Sequence, residues 1–387
     1  MTLELNKVSR QIEELGGILA SNAQRRSRAL PALRELRRLF SSDLERLQAL
    51  ASSPVGRQAK CALPTHEPLD AAIPAPEPPC PATIVAADGS QVAPNPHGWA
   101  PYYVINVGSM IYRHGTGQMP EAAAEPNVAY AVDEAGDLIS SEQVDARRDV
   151  AEIQKLADLA ESQSGNGPAL ALLDSTLGLR AWGGSIPQAE QAMLQRRYTT
   201  QQQRIRSTGA ALAGVISRSR RSGVVNLLDL AQMEESKASR RGQSPFSGIT
   251  DQMLWGDLRP GERSALLSED GTSPVFFFYL NTQPPDGPVL PHSEAEPARI
   301  ELPEWAALNP GKLGWVHALI YDQCCINNGY PYVLSRADEL AIIRTEEREA
   351  LEMMLLQAMS RQGMPLPRLS YKEAQKRITR SPSRRRM

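Results

Sequence analysis

Hydrophobic positions near the start of the chain recur at three- and four-residue spacings. Leu3, Leu5, Val8, Ile12, Leu15, Ile18 and Leu19 predict an amphipathic helix over 2–20. Leu30, Leu33, Leu36, Phe40, Leu44, Leu47 and Leu50 predict a second over 30–51. The polar stretch SNAQRRSRA between them predicts a break. Residues 1–52 therefore read as a helical arm or hairpin, packed on the main domain or reserved for a partner. Pro54, Pro64, Pro68, Pro74, Pro76, Pro78, Pro79 and Pro81 mark 53–81 as an extended linker.

The pattern then changes to short apolar runs. Ile84–Ala87 reads as a buried strand ending on Asp88, with Gly89 and Ser90 turning the chain. Tyr102–Val107 is a second strand, and 115–127, rich in Gly, Pro and Ala, a loop. Residues 144–162 predict a helix with Val150, Ile153, Leu156 and Leu159 along one side. Ala169–Leu173 is another apolar strand ending on an acid, Asp174. A Gln- and Arg-rich helix over 186–208 leads to the strand Ala211–Ile216, which delivers Ser217, Arg218 and Arg220 to its end. Strands at Val275–Leu280 and Arg299–Leu302 follow, then a helix at Lys312–Asn328. A long helix runs from Ser335 to about Met359, with Asp338 in its first turn. Alternating strands and helices predict a mixed α/β domain over 82–360.

Geometry links one helix acid to Asp174. A strand climbs ~3.3 Å per residue and a helix ~1.5 Å, so six strand residues match about thirteen helical ones. Counting back from the turn at Gly165–Pro168 reaches Val150–Glu152. Glu152 is thus level with Asp174, whereas Glu161 lies at the opposite end.

Two strand-borne aspartates and a helix glutamate are the donor set that a hard divalent cation takes, and they point to metal-dependent phosphodiester hydrolysis. Each has a plainer reading. Asp-Gly is an ordinary turn pair, Glu152 could be a solvated helix residue, Asp338 a helix-start residue, and Arg218 with Arg220 a solvated turn.

Composition narrows the classes. The 387 residues are 41% hydrophobic, enough for a large core, and the formal net charge is −2. That charge is unevenly spread. Residues 1–60 hold eleven Lys and Arg against six acids, and residues 361–387 hold nine against one. Basic ends suit a polyanionic partner, and the last stretch reads as a disordered basic tail. Cys61, Cys80, Cys324 and Cys325 form no CxxC pair, which fits reduced thiols and a cytoplasmic location. No signal peptide or membrane-spanning run is apparent, so no membrane partner is expected. Neither GxxxxGK[ST] nor GxGxxG occurs, which argues against nucleotide hydrolysis by this chain.

Residues 82–360 resemble the NurA nuclease family. IVAADGSQ looks like its first acidic motif and ALALLDSTL its second. LAGVISRSR is similar to its strand ending in Ser and a basic residue, and GYPYVLSRADELAIIRTEE to its C-terminal Tyr-Pro motif. The RIELPEW and RPGERS stretches, with FFFYL, fit too. The resemblance implies an RNase H-like mixed sheet flanked by helices, and a Mn2+- or Mg2+-dependent DNA nuclease. It implies 5′–3′ exonuclease and single-strand endonuclease activity in DNA end processing, and a homodimer working with a HerA-like hexameric ATPase. By it Asp88 and Asp174 are metal ligands, joined by Glu152 on the geometry above. Tyr330 lies near the scissile phosphate, and Asp338 stands where many relatives have His. Independently of the resemblance, Arg218 and Arg220, the basic pair after Ser217, would suit a phosphodiester backbone at the same edge as the acids. Ser175 replaces the Gly usual after the second Asp, and Arg218 the more usual Lys. The rival class is a non-catalytic subunit that keeps the fold and binds DNA or the translocase.

Overall fold

The computed structural model describes residues 5–178, 186–236, 244–269, 275–287 and 296–363. Among them nine strands form one mixed sheet: β1 (Ala62–Pro64), β2 (Ala82–Val92), β3 (Tyr102–His114), β4 (Glu121–Tyr130), β5 (Ala169–Leu173), β6 (Ala211–Ile216), β7 (Leu267–Glu269), β8 (Val275–Leu280) and β9 (Ala298–Pro303). Their spatial order is β1-β7-β8-β9-β6-β5-β2-β3-β4. The chain divides into two units. One comprises Met1–Pro79, Ser175–Leu177 and Ala213–Pro331; the other comprises Cys80–Asp174, Gly178–Leu212 and Tyr332–Met387.

The second unit carries β2 to β5 with four helices: α4 (Ser141–Ser162), α5 (Gln188–Ser207), α10 (Tyr332–Ala341) and α11 (Thr345–Arg361). β2 runs antiparallel to β3 and parallel to β5. Ile84–Ala87 and Leu170–Leu173 are almost wholly buried, as uninterrupted apolar runs in a sheet covered on both faces should be. Helix α4 starts with a capping box: Ser140 accepts from the Gln143 N–H at 3.2 Å while the Gln143 side chain accepts from the Ser140 N–H at 2.8 Å. Its outer side is tied to α5 by Arg147–Glu190 at 2.7 Å and Arg204–Glu161 at 2.6 Å.

The first unit holds α1 (Leu5–Leu39), α2 (Leu44–Ser52), α3 (Pro54–Gln58), α6 (Gly223–Ser236), α7 (Asp251–Leu254), α8 (Glu304–Ala307) and α9 (Pro310–Ile326) with β1, β7, β8, β9 and most of β6. Leu33, Phe40, Leu47, Leu69, Trp255 and Phe277 share one core there. Arg37 anchors α1, pairing with Asp257 at 2.7 Å and donating to the Leu254 carbonyl at 3.1 Å.

Several expectations are corrected. Residues 1–52 are not a hairpin with a central break: α1 runs unbroken through SNAQRRSRA and past Pro31. The Ala, Gln and Arg residues there are good helix formers that carry the helix through, and with no apolar stripe to bury nothing marks its period. The proline-rich 53–81 segment is not simply an extended linker. Pro54 opens α3 at a position where its missing N–H costs nothing, Ser53 caps that helix, and Leu69 is buried. The loop expected at 115–127 contains most of β4, an exposed edge strand that tolerates Pro126. β2 does not turn at Gly89 but continues to Val92. The single helix expected from Ser335 is two, α10 and α11, so Asp338 lies well inside α10 rather than in a first turn. The basic tail from residue 364 onward lies outside the described residues.

Candidate active site

The end of the β2–β5 ladder fixes the first two acids. The parallel ladder of β2 and β5 ends with Ala87 opposite Leu173, so Asp88 and Asp174 are the next residues on neighbouring strands. Adjacent strands lie ~4.8 Å apart, and successive residues alternate faces, so equal register puts both carboxylates together.

A third acid arrives from α10 because two glycine-sized gaps let helices approach the sheet. Asp88 is the register partner of Gly108 on β3. A Cβ at Gly108 would sit 2.1 Å from the Ala337 carbonyl oxygen and 2.6 Å from the Ala341 nitrogen, so α10 rests directly on this backbone. The last carbonyls of α10 are then satisfied from the sheet. Asn106 Nδ2 donates to Leu340 O at 3.0 Å and Ala341 O at 2.9 Å, and Ser90 Oγ also donates to Ala341 O. Held this way, Asp338 comes close enough to Asp88 for its charge to act on that carboxyl.

The second gap is Gly89. A Cβ there would lie 2.7 Å from Glu152 Oε1 and 2.8 Å from Arg148 Cγ. Glycine lets α4 deliver Glu152, only 6% exposed, beside the strand end. Arg148, one helical turn earlier, bridges the polar groups around it. Its Nη1 donates to Gln91 Oε1 at 2.9 Å and its Nη2 to Asp149 Oδ1 at 3.0 Å. Its Nε lies 3.1 Å from Glu152 Oε1, as an ion pair without good hydrogen-bond geometry. Gln91 in turn donates to Asp145.

Electrostatics reflect the crowding. Burial pushes the Asp88 carboxyl up to about 6; the Gly89 N–H opposes this at 2.8 Å, while the Asp174 and Asp338 charges add to it. Burial holds Glu152 well above the usual carboxylate range, opposed by the Arg148 guanidinium and reinforced by Asp149, Asp88 and Asp174. Asp174 and Asp338 are exposed, leaving one side of the group open. Glu161, by contrast, points away to Arg204 and sits below its ordinary value because of that hydrogen bond.

Thus the structure brings Asp88, Glu152, Asp174 and Asp338 together within one unit. Tyr330, Ser217, Arg218 and Arg220 belong to the other unit: Tyr330 is half-buried two residues before α10, and the other three are exposed just after β6. As placed, no group of three or more His, Cys, Asp or Glu among the described residues is gathered tightly enough to hold a metal ion. The donor chemistry nevertheless suits a hard cation. The four acids offer only oxygens, and the mutual charge repulsion that adds to burial in raising Asp88 and Glu152 is what one added cation would relieve.

Arg148, Asn106 and Gly108 were not singled out from sequence. Arg148 is four residues before Glu152, a spacing that marks ion pairing on a helix. Gly108, an isolated glycine in a strand, signals close backbone approach.

A family model for the NurA domain matches residues 82–343. The chain belongs to the NurA family. The match opens on the first residue of β2 and closes just past α10, so it contains every element that delivers an acid. Membership in the NurA family supports a DNA nuclease. Among solved structures, the catalytic domain of human endonuclease V is similar at 14% identity and a TM-score of 0.32, covering 82% of this chain and 96% of that one. Endonuclease V of Ciona intestinalis, in complex with an inosine-containing DNA, gives 9% and 0.30, covering 71% and 88%. No curated relative matches. The NurA chain has four free cysteines, and among its described residues no helix is long and apolar enough to cross a membrane.

Proposed function

We propose that this NurA-family chain hydrolyses DNA phosphodiester bonds with a divalent cation, Mn2+ or Mg2+, held by Asp88, Asp174 and Asp338 with Glu152. The observation that carries this is the convergence of Asp88 and Asp338 beside two further carboxylates, with α10 seated on Gly108 and Glu152 packed on Gly89. When bound, the cation supplies Lewis acidity toward a phosphate oxygen and acidifies a water. The chain's own residues do the rest. Glu152 is held beside Gly89 with its Oε1 paired to Arg148, and its raised affinity for a proton suits acceptance of one from an attacking water. Asp174 and Asp338 keep their exposed side toward the substrate.

Family resemblance supports the finer reading. The nuclease domain is residues 82–360. It acts as a 5′–3′ exonuclease and single-strand endonuclease in DNA end processing, as a cytoplasmic homodimer with a HerA-like hexameric ATPase. Tyr330 is assigned to the scissile phosphate on that resemblance, and Ser217, Arg218 and Arg220 to the DNA backbone on the exposed basic turn they form after β6. A cleavage assay on 5′- and 3′-labelled single- and double-stranded DNA, with Mn2+, Mg2+ or EDTA, tests both levels. Shortening from the 5′ end with either metal supports the proposal. No cleavage with any metal, alone or with the translocase, leaves the non-catalytic reading.

A further inference from the structure

A second polar site lies wholly in the other unit. A cavity of about 550 Å³ opens between the α3–β1 turn and the start of α6. That is the size range of pockets that enclose a mononucleotide-sized molecule. Arg57, Lys60, Arg220 and Arg221 line its mouth, and all four side chains are exposed. Arg221 approaches Glu269 at 3.6 Å, and Arg57 donates to the Ser52 carbonyl. The side chains of Lys60 and Arg220 make no ion pair or hydrogen bond among the described residues.

Lys60 is held in an unusual way. It has φ 54°, at the position after the α3 C-cap where glycine is the default residue. The motif is complete: Lys60 N donates to Arg57 O at 3.0 Å and Cys61 N to Gly56 O at 3.0 Å. A lysine here costs conformational strain that glycine would avoid, and it puts a cation at the cavity mouth.

The interior differs from the mouth. Asp251 is 0% exposed and lines the cavity. Its Oδ1 accepts from the Val224 and Val225 N–H groups, both at 3.0 Å, which occupies the start of α6. Its Oδ2 has no hydrogen-bond partner. Arg299, also lining the cavity, is committed to Glu301 at 2.8 Å and Glu269 at 2.6 Å and is stacked on Phe277 at 3.6 Å. The interior therefore presents one unfilled acceptor, beneath a mouth with unpaired cations. A buried acceptor without a donor is rare enough to require a reason.

We propose that this cavity binds a 5′-phosphorylated nucleotide, its phosphate on Lys60, Arg57 and Arg220 and a hydrogen-bond donor of its sugar or base on Asp251. Cations alone would take any anion, and the inner acceptor selects one that also carries an N–H or O–H. The nucleotide is either free or the terminal residue of a DNA strand; the chemistry is the same. The site shares no residue with the carboxylate group and does not rest on that group being catalytic.

The test is isothermal titration of the full-length protein in EDTA, which removes cation-dependent binding at the carboxylates. The probes are deoxyadenosine 5′-monophosphate, deoxyadenosine, inorganic phosphate, and one short oligonucleotide with a 5′-phosphate or a 5′-hydroxyl. The nucleotide should bind at least ~10-fold more tightly than either fragment. Lys60→Glu with Arg57→Glu should weaken it by ~10-fold or more, and Asp251→Asn should lower its affinity to that of phosphate. Lys60→Gly, which relieves the backbone without reversing charge, should also lose affinity. If the phosphorylated oligonucleotide exceeds the mononucleotide, the source is a DNA end; if it falls below, the source is a free nucleotide. The assignment fails if deoxyadenosine or phosphate binds as well as the nucleotide, or if the double variant, folded by circular dichroism, binds it unchanged.

Discussion

Asp88 on β2 lies within electrostatic reach of Asp338 on α10, although they come from opposite ends of the matched domain. Nothing local to either residue produces that proximity. It depends on Gly108, opposite Asp88 in the ladder, giving α10 a backbone surface to rest on.

Gly108→Ala should therefore act at both levels. The new methyl would meet backbone atoms of Ala337 and Ala341, which have no rotamer to change. We expect a loss of about 2–3 kcal/mol in urea unfolding and a nuclease rate reduced with it. A variant that unfolds at the wild-type midpoint would show that α10 is not seated this closely.

The helix acids give a paired comparison. Glu152→Gln should lose nuclease activity by roughly 100-fold or more, at least the effect of disturbing a ligand's outer partner. Glu161→Gln, whose side chain pairs with Arg204 at the other end of α4, should stay within about twofold. The reverse outcome would displace Glu152 from the site.

Arg148 connects Glu152 to Gln91 and Asp149, so Arg148→Ala should release Glu152 without removing a carboxylate. Activity should fall about 10–100-fold while the cation requirement persists. Rates equal to wild type across a Mn2+ titration would deny Arg148 a positioning role.

Stability should vary with pH through Asp251, remote from these acids in sequence and carried by the other unit. Burial raises its carboxyl from 3.8 to about 6, with the Val225 N–H, the Arg299 charge and the Val224 and Gly223 N–H groups opposing. Between those values the folded protein holds a proton that the unfolded chain has released. The group's stabilising contribution is full below about pH 4 and is lost as pH rises through 6. Asp251→Asn, which keeps an acceptor for the α6 N–H groups without the charge, should flatten denaturation midpoints over pH 4–7. At pH 7 it should be more stable by on the order of 1–2 kcal/mol. Parallel midpoint curves for the two proteins would contradict this.

Much of the carboxylate group was legible in the sequence because β2 and β5 are buried on both faces. An apolar run that stops at an acid marks where two-sided burial stops, and Ala87 and Leu173 do end the β2–β5 ladder together, although β2 itself runs on. What was hidden is exposed or non-local. β4 shows no alternation because nearly all its residues face solvent. α1 lost its period where it leaves the core. Gly89 looked like a turn because Asp-Gly is locally a turn pair; only the packing of Arg148 and Glu152 against it explains why a strand needs glycine there. The end of α10 at Ala341 is set by Asn106 and Ser90, residues of other elements, so no local capping signal separates it from α11.

The most direct test of the central claim is DNA cleavage by purified wild-type, Asp88→Ala and Asp174→Ala proteins, each with Mn2+ and with EDTA. The wild type should cleave only with the cation. Both variants should be inactive while keeping the wild-type circular dichroism. Full cation-dependent cleavage by either folded variant would contradict the assignment of these strand-end acids as metal ligands.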